Sequence, residues 1–161
     1  MNSAIFLEDF ADIARPIEAA RGYFVGDGQW LAPLASAAEE YGETLQLRVG
    51  PGWAPARVAR EVLVTLGSPH DRGDALVVPI AWEPSELPAL FPSLEGDIAL
   101  APRGPDRCRL TLSASYVPPL GELGRRLDRV LLHRVARSTV RSFLTRVVRS
   151  LEGESSGNDV E

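Results

Sequence analysis

The segment from Leu120 to Leu151, LGELGRRLDRVLLHRVARSTVRSFLTRVVRSL, constrains this chain more than any other. Pro118 and Pro119 stop whatever precedes it, and neither proline nor glycine interrupts it from Arg125 to Glu152. With no breaker inside, it reads as one helix of roughly 30 residues, about 45 Å long. Leu123, Leu127, Leu131 and Val135 follow one another at i+4, and Val140, Phe143, Leu144, Val147 and Leu151 keep a 3/4 spacing. Both stripes want burial. At 100° per residue they are centred roughly 140° apart, so a straight helix cannot turn both to one surface. Either the helix curves over what it covers, or its two halves serve different surfaces.

What it covers is written upstream as alternation of period two. Residues 3–13, SAIFLEDFADI, suit a first strand. Pro16 stands at a first helical position and IEAARGYFV continues as a short helix up to the Gly26, Asp27, Gly28 turn. Trp30, Leu31, Leu34, Ala38 and Tyr41 mark a second short helix that Gly42 caps. From Thr44 the period changes. TLQLRV, then about Arg57 to Leu66, ALVVPIAW, Leu94 to Ala101 and Arg107 to Val117 read as consecutive antiparallel strands. Residues 67–73 form a hairpin loop between two of them. Pro79 cannot donate to a ladder, which suggests an edge or a bulge in its strand. In the last strand Leu110, Leu112, Ala114 and Tyr116 face one way while Arg109, Thr111, Ser113 and Ser115 face the other. The fold class is α+β: a curved antiparallel sheet of about six strands, two short helices after the first strand, and a long terminal helix across the sheet.

At 161 residues the chain suits a single domain, residues 1–152, followed by a disordered acidic tail, 153–161. Its apolar runs reach only about eight residues, far below a membrane span, and its first residues lack the basic start of a secretory signal. We therefore expect a cytoplasmic protein. The one cysteine, Cys108, falls on an alternating strand and reads as a small core residue.

The net charge of −5 conceals a strong segregation, because all 17 basic residues are arginine. Eight lie on the final helix against three acids up to Glu152, a local net of +5. Residues 1–119 hold nine arginines and sixteen acids, a net of −7. Such a balance disfavours nucleic acid as a partner. The arginines are either a solvated helix face balanced by acidic neighbours or a surface for an anionic partner, such as a protein, or a membrane surface.

No motif of established chemistry stands out. A group that removes a proton beside a carbonyl needs a base and donors for the enolate oxygen. Asp9 or Glu95 could be the base if turned inward, and Tyr116 and Arg134 the donors, but no spacing unites them. His70 lies in a hairpin loop and His133 sits one turn from two arginines, so both read as structural or surface residues. There is no metal-ligand spacing, no phosphate loop and no dinucleotide fingerprint, so neither metal nor cofactor is expected.

The order of elements, together with IAWEP (residues 80–84), LFPSLEGDI (90–98) and SYVPPLGELG running into LDRVLLHRVA (115–136), resembles the START-like superfamily, also called the helix-grip or SRPBCC fold. That resemblance spans residues 3–151 and implies a cavity for an apolar ligand between sheet and helix. Carried over, it implies walls from Trp82, Leu110, Leu112 and Tyr116 of the sheet, Phe91 of the mouth, and Leu127, Leu131 and Val135 of the helix. The same residues would also make an ordinary filled core. Three functions stay open: a non-catalytic carrier or sensor of a lipid-, isoprenoid- or polyketide-like molecule, an enzyme of the cyclase or hydratase kind, and a regulator that binds a partner through the basic helix.

Overall fold

In the computed structural model of the chain, residues 4–25, 44–49, 60–84, 93–117 and 129–153 are described. Strand β1 spans Ile5–Ile13 and helix α1 Ile17–Phe24; β2 is Thr44–Val49, β3 Arg60–Leu66, β4 His70–Arg72, β5 Ala75–Pro84, β6 Ser93–Gly104 and β7 Arg107–Val117. The terminal helix, α2, covers Arg129–Gly153. The expected second short helix, the mouth segment around Phe91, the start of the long helix as far as Asp128 and the acidic tail from Glu154 lie outside the described residues.

One antiparallel sheet takes every described strand, in the order β1-β7-β6-β5-β3-β2, with β4 paired to β5 beside it. The meander and its alternation match the sequence reading. Two details differ. Residues 67–73 are more than a loop, since His70–Arg72 form the short strand β4, with Gly73 taking a φ of 63° in the turn into β5. Pro16 is the residue before α1 and not its first helical position, and Ile17 opens the helix.

Pro79 also needs correction, because β5 is an interior strand. Its partners on one side change from β3, ending at Leu66 opposite Ile80, to β4, starting at His70 opposite Val77. Pro79 falls in that gap, where no ladder donor is required of it. Its carbonyl accepts from Gly67 N–H at 2.8 Å. Gly67 is confined to glycine by packing: a Cβ there would lie 2.8 Å from both Cβ and Cγ of the proline.

Alternation gives the sheet a dry face and a wet face. Leu7, Ile13, Val62, Val64, Leu76, Val78, Ile80, Trp82, Leu94, Ile98, Leu100, Cys108, Leu110, Leu112, Ala114 and Tyr116 are buried on the inner face, joined by Val140, Phe143, Leu144, Val147 and Leu151 of α2. Ala20 and Phe24 of α1 enter the same core, and Arg21 ties α1 to β4 through Asp71 at 2.7 Å. The outer face carries Phe6, Phe10 and Leu63 exposed.

Three contacts lay α2 along β1. His133 meets Tyr116, which pairs with Ile5; Arg141 meets Asp9; and Glu152 Oε1 accepts from Ala14 N–H at 3.0 Å. From 133 to 152 a helix rises about 28 Å, and from 5 to 14 a strand advances about 30 Å, so the two elements keep step. The helix also approaches β7 and, at the far edge of the sheet, β2. A sheet that brings both edges toward one helix is curled around it.

Candidate functional site

Pairing register sorts the inner face into rows that cross the strands. The first is Val64, Trp82, Leu94, Tyr116 and Ile5; the second is Leu66, Ile80, Gly96, Ala114 and Leu7. Two further rows run Val78, Ile98, Leu112, Asp9 and Leu76, Leu100, Leu110, Ala11. Of the sheet residues expected to line a ligand site, Trp82 and Tyr116 therefore share a row. Leu112 lies two rows in, and Leu110 is six residues from Tyr116 on β7, about 20 Å away. One small molecule at Tyr116 does not reach Leu110, which sits in the core between Leu100 and Ala11. Phe91 and Leu127 lie outside the described residues, as do the side chains of Leu131 and Val135.

The first row holds two aromatic side chains with polar tips, Trp82 and Tyr116. Trp82 is 2% exposed, and its Nε1 is buried with no hydrogen-bond partner among the described residues. Phe143 from α2 meets its ring in a T-shaped contact, with centroids 5.5 Å apart and planes at 74°. Tyr116 is buried with its hydroxyl 3.3 Å from Nδ1 of the half-buried His133. Burial pushes the Tyr116 pKa above its ordinary value, so the hydroxyl stays protonated and donates to Nδ1 when His133 carries its proton on Nε2. A buried indole N–H and a buried phenol on one row give an apolar wall two polar tips.

Sequence reasoning missed Phe143 as the residue packed on Trp82 and His133 as a partner of Tyr116. The signal was present. Extending the stripe Val140, Phe143, Leu144, Val147, Leu151 upstream at the same 3/4 spacing lands on Ala136 and His133, and the structure buries Ala136 and half-buries His133.

The groups considered for proton abstraction are not brought together. Glu95 lies on the outer face, exposed, and Arg134 is exposed on the solvent side of α2. Asp9 does turn inward and is 4% exposed, but its carboxylate is taken. Arg141 Nε and an Arg141 Nη reach Asp9 Oδ2 and Oδ1, each at 3.2 Å, and Phe10 N–H donates to Oδ1 at 2.9 Å. It anchors the helix to the strand and is not poised as a base. His70 is exposed on β4, its Nδ1 3.4 Å from the Ser68 carbonyl. Among the described residues no group of three or more His, Cys, Asp or Glu is placed to hold a metal ion, and no helix is long and apolar enough to cross a membrane.

On the outer face a hollow of about 650 Å³, open to solvent, lies where β3 gives way to β4. Thr65, Pro79, Ala81, Glu95, Asp97 and Ser115 line it. Its wide mouth and its carboxylates suit water more than an apolar guest.

No protein-family model and no curated sequence matches the chain. Solved structures do match over nearly its full length. The Zhui aromatase/cyclase from Streptomyces sp. R1128 superposes with a TM-score of 0.65 at 13% identity, covering 99% of this chain and 100% of that one. Norcoclaurine synthase from Thalictrum flavum, in complex with dopamine and hydroxybenzaldehyde, gives 0.61 at 15% identity, covering 99% and 91%. A START superfamily protein from Mycobacterium smegmatis gives 0.52 at 11% identity, covering 96% and 98%. At such identities the likeness is one of fold.

Proposed function

We propose that this chain, whose fold is the helix-grip fold of the START-like superfamily, binds and carries an apolar small molecule between the inner face of its sheet and α2. Trp82, Tyr116 and Phe143 form the core of the site and Leu112 its floor. Leu110 backs that floor; Phe91, expected at the mouth, and Leu127, Leu131 and Val135, expected on the helix, lie outside the described side chains.

The observation that carries this reading is the buried Trp82 Nε1, which has no hydrogen-bond partner among the described residues. Leaving a buried donor unmade costs about 1–3 kcal/mol. A guest that presents a carbonyl or hydroxyl oxygen to the indole N–H removes that cost, and the Tyr116 hydroxyl offers a second donor on the same row. The guest is therefore largely apolar, uncharged, and carries at least one acceptor oxygen. Carriage is favoured over cyclase chemistry because Asp9 is committed to Arg141, while Glu95 and Arg134 point to solvent. The solved relatives supply context: one was crystallised with two small aromatic molecules.

Native mass spectrometry of the protein from its own cells should reveal a retained apolar, oxygen-bearing compound. In parallel, neutral 1-aminoanthracene and an anthracene methyl ketone are titrated against wild type and Trp82→Phe. The ketone should lose about fivefold or more in affinity in the variant and the amine little, since one hydrogen bond is worth about 1 kcal/mol. If no compound is retained and neither probe binds one-to-one below millimolar concentration, the reading fails.

A further inference from the structure

The side of α2 that faces away from the sheet has a composition that packing does not require. Among the helix side chains described, the exposed positions are Arg134, Arg137, Arg141, Thr145 and Arg149. They recur every three or four residues and run for about 22 Å along one side. No acidic residue occurs between Arg129 and Leu151 to neutralise the row. Arg141 is bound to Asp9, but Arg134, Arg137 and Arg149 have no ion-pair partner among the described residues. We propose that this row is a docking strip for a protein partner that presents an acidic helix.

Three observations select that occupant. Four of the five exposed positions are arginine, whose planar fork binds carboxylates in pairs, and they recur at helical spacing. A partner helix with Asp or Glu every three or four residues rises by the same increment and can match it along its length. A membrane surface fits less well: a helix lying in an interface needs an apolar side to bury, and α2 spends its apolar side on the sheet. A duplex fits less well because its phosphates continue past the strip, toward a body whose first 119 residues carry a net of −7.

The test uses the whole protein and a fluorescein-labelled, side-chain-stapled 18-residue helix on an alanine background, with glutamates at 3/4 spacing on one side. The control is a stapled helix of the same composition with its glutamates spread around all sides. Phosphatidylglycerol vesicles and a 20-base-pair DNA duplex are measured alongside at the same salt. The one-sided helix should bind at least tenfold more tightly than the control, and more tightly than vesicle or duplex. The triple variant Arg134→Gln, Arg137→Gln, Arg149→Gln should lose about tenfold or more while keeping its circular dichroism and melting midpoint. Arg141 is left in place because it holds Asp9. Equal binding of the two helices, binding unchanged in the triple variant, preference for vesicles or duplex, or no binding at all would each overturn the proposal. None of these outcomes touches the Trp82 site, which lies on the other side of α2.

Discussion

Cys108 is fully buried opposite Ile13, and its pKa is raised, first by desolvation and then by the charge of Asp12 nearby. A buried, protonated thiol is a poor nucleophile. Folded protein at pH 8 should leave Cys108 unlabelled by iodoacetamide over hours, while urea-unfolded protein is labelled within minutes; mass spectrometry reads both. On the outer face, Arg109 grips Asp12 through Nε at 2.7 Å and Nη at 3.2 Å, with its guanidinium 4.0 Å above the Phe10 ring. The Arg109 hydrogen bond holds the Asp12 carboxyl below its ordinary value. A carboxylate whose folded pKa is depressed adds stability above its unfolded pKa and loses it as pH falls through the folded one. The stability gap between wild type and Arg109→Gln should thus be present at pH 7, shrink below about pH 4, and be small throughout because the pair is exposed. Urea melts at several pH values measure it. Cys108 was legible in the sequence, since it alternates with Leu110 and Leu112. Asp9 was not, because Glu8 and Asp9 are adjacent acids and only the register of β1 against β7 turns one to solvent and the other to the core.

At the scale of elements, α2 is held to β1 by an ion pair with one member buried and the other open to water: Asp9 is 4% exposed and Arg141 67%. Removing the arginine strands a carboxylate inside. Arg141→Ala should cost about 2 kcal/mol, less than for a fully buried pair because water can reach toward Asp9, and Arg149→Ala should stay within about 0.5 kcal/mol. Equal midpoints for the two variants in urea would remove the anchor from the account. The long helix, the meander and the last strand's two faces were all legible because each rests on an uninterrupted period. Two of the places where element reading slipped, β4 and Pro79, share one cause. Sequence shows that a proline cannot donate, but not that a neighbouring strand breaks beside it and makes the donor unnecessary. Gly96 is a third feature of this kind, since only the approach of β7 shows that a Cβ there would run into Ser113 O and lie 2.6 Å from Ala114 Cα.

At the scale of the molecule, α2 separates two environments. Its inner side closes the core over Trp82, and its outer side offers the arginine row to solvent. Alternation showed which sheet residues face inward, and the family resemblance nominated some of them for a ligand; how the nominees divide among rows was not legible, because row membership depends on pairing register. A guest that binds only the folded chain stabilises it by mass action, about 2.7 kcal/mol when present at a hundred times its Kd. For a chain of this length that is a rise of roughly 5–11 °C in melting midpoint. Saturating anthracene methyl ketone should therefore raise the midpoint of wild type by that amount. It should do the same for the Arg134, Arg137, Arg149 triple glutamine variant, because groups on opposite sides of a helix share no partners and their effects add. Trp82→Phe at the same ketone concentration should rise less, since about fivefold weaker binding forfeits about 1 kcal/mol of the linkage. A triple variant whose shift collapses along with that of Trp82→Phe would mean that the two sides of α2 act as one site, and that the arginines serve the guest and not a partner.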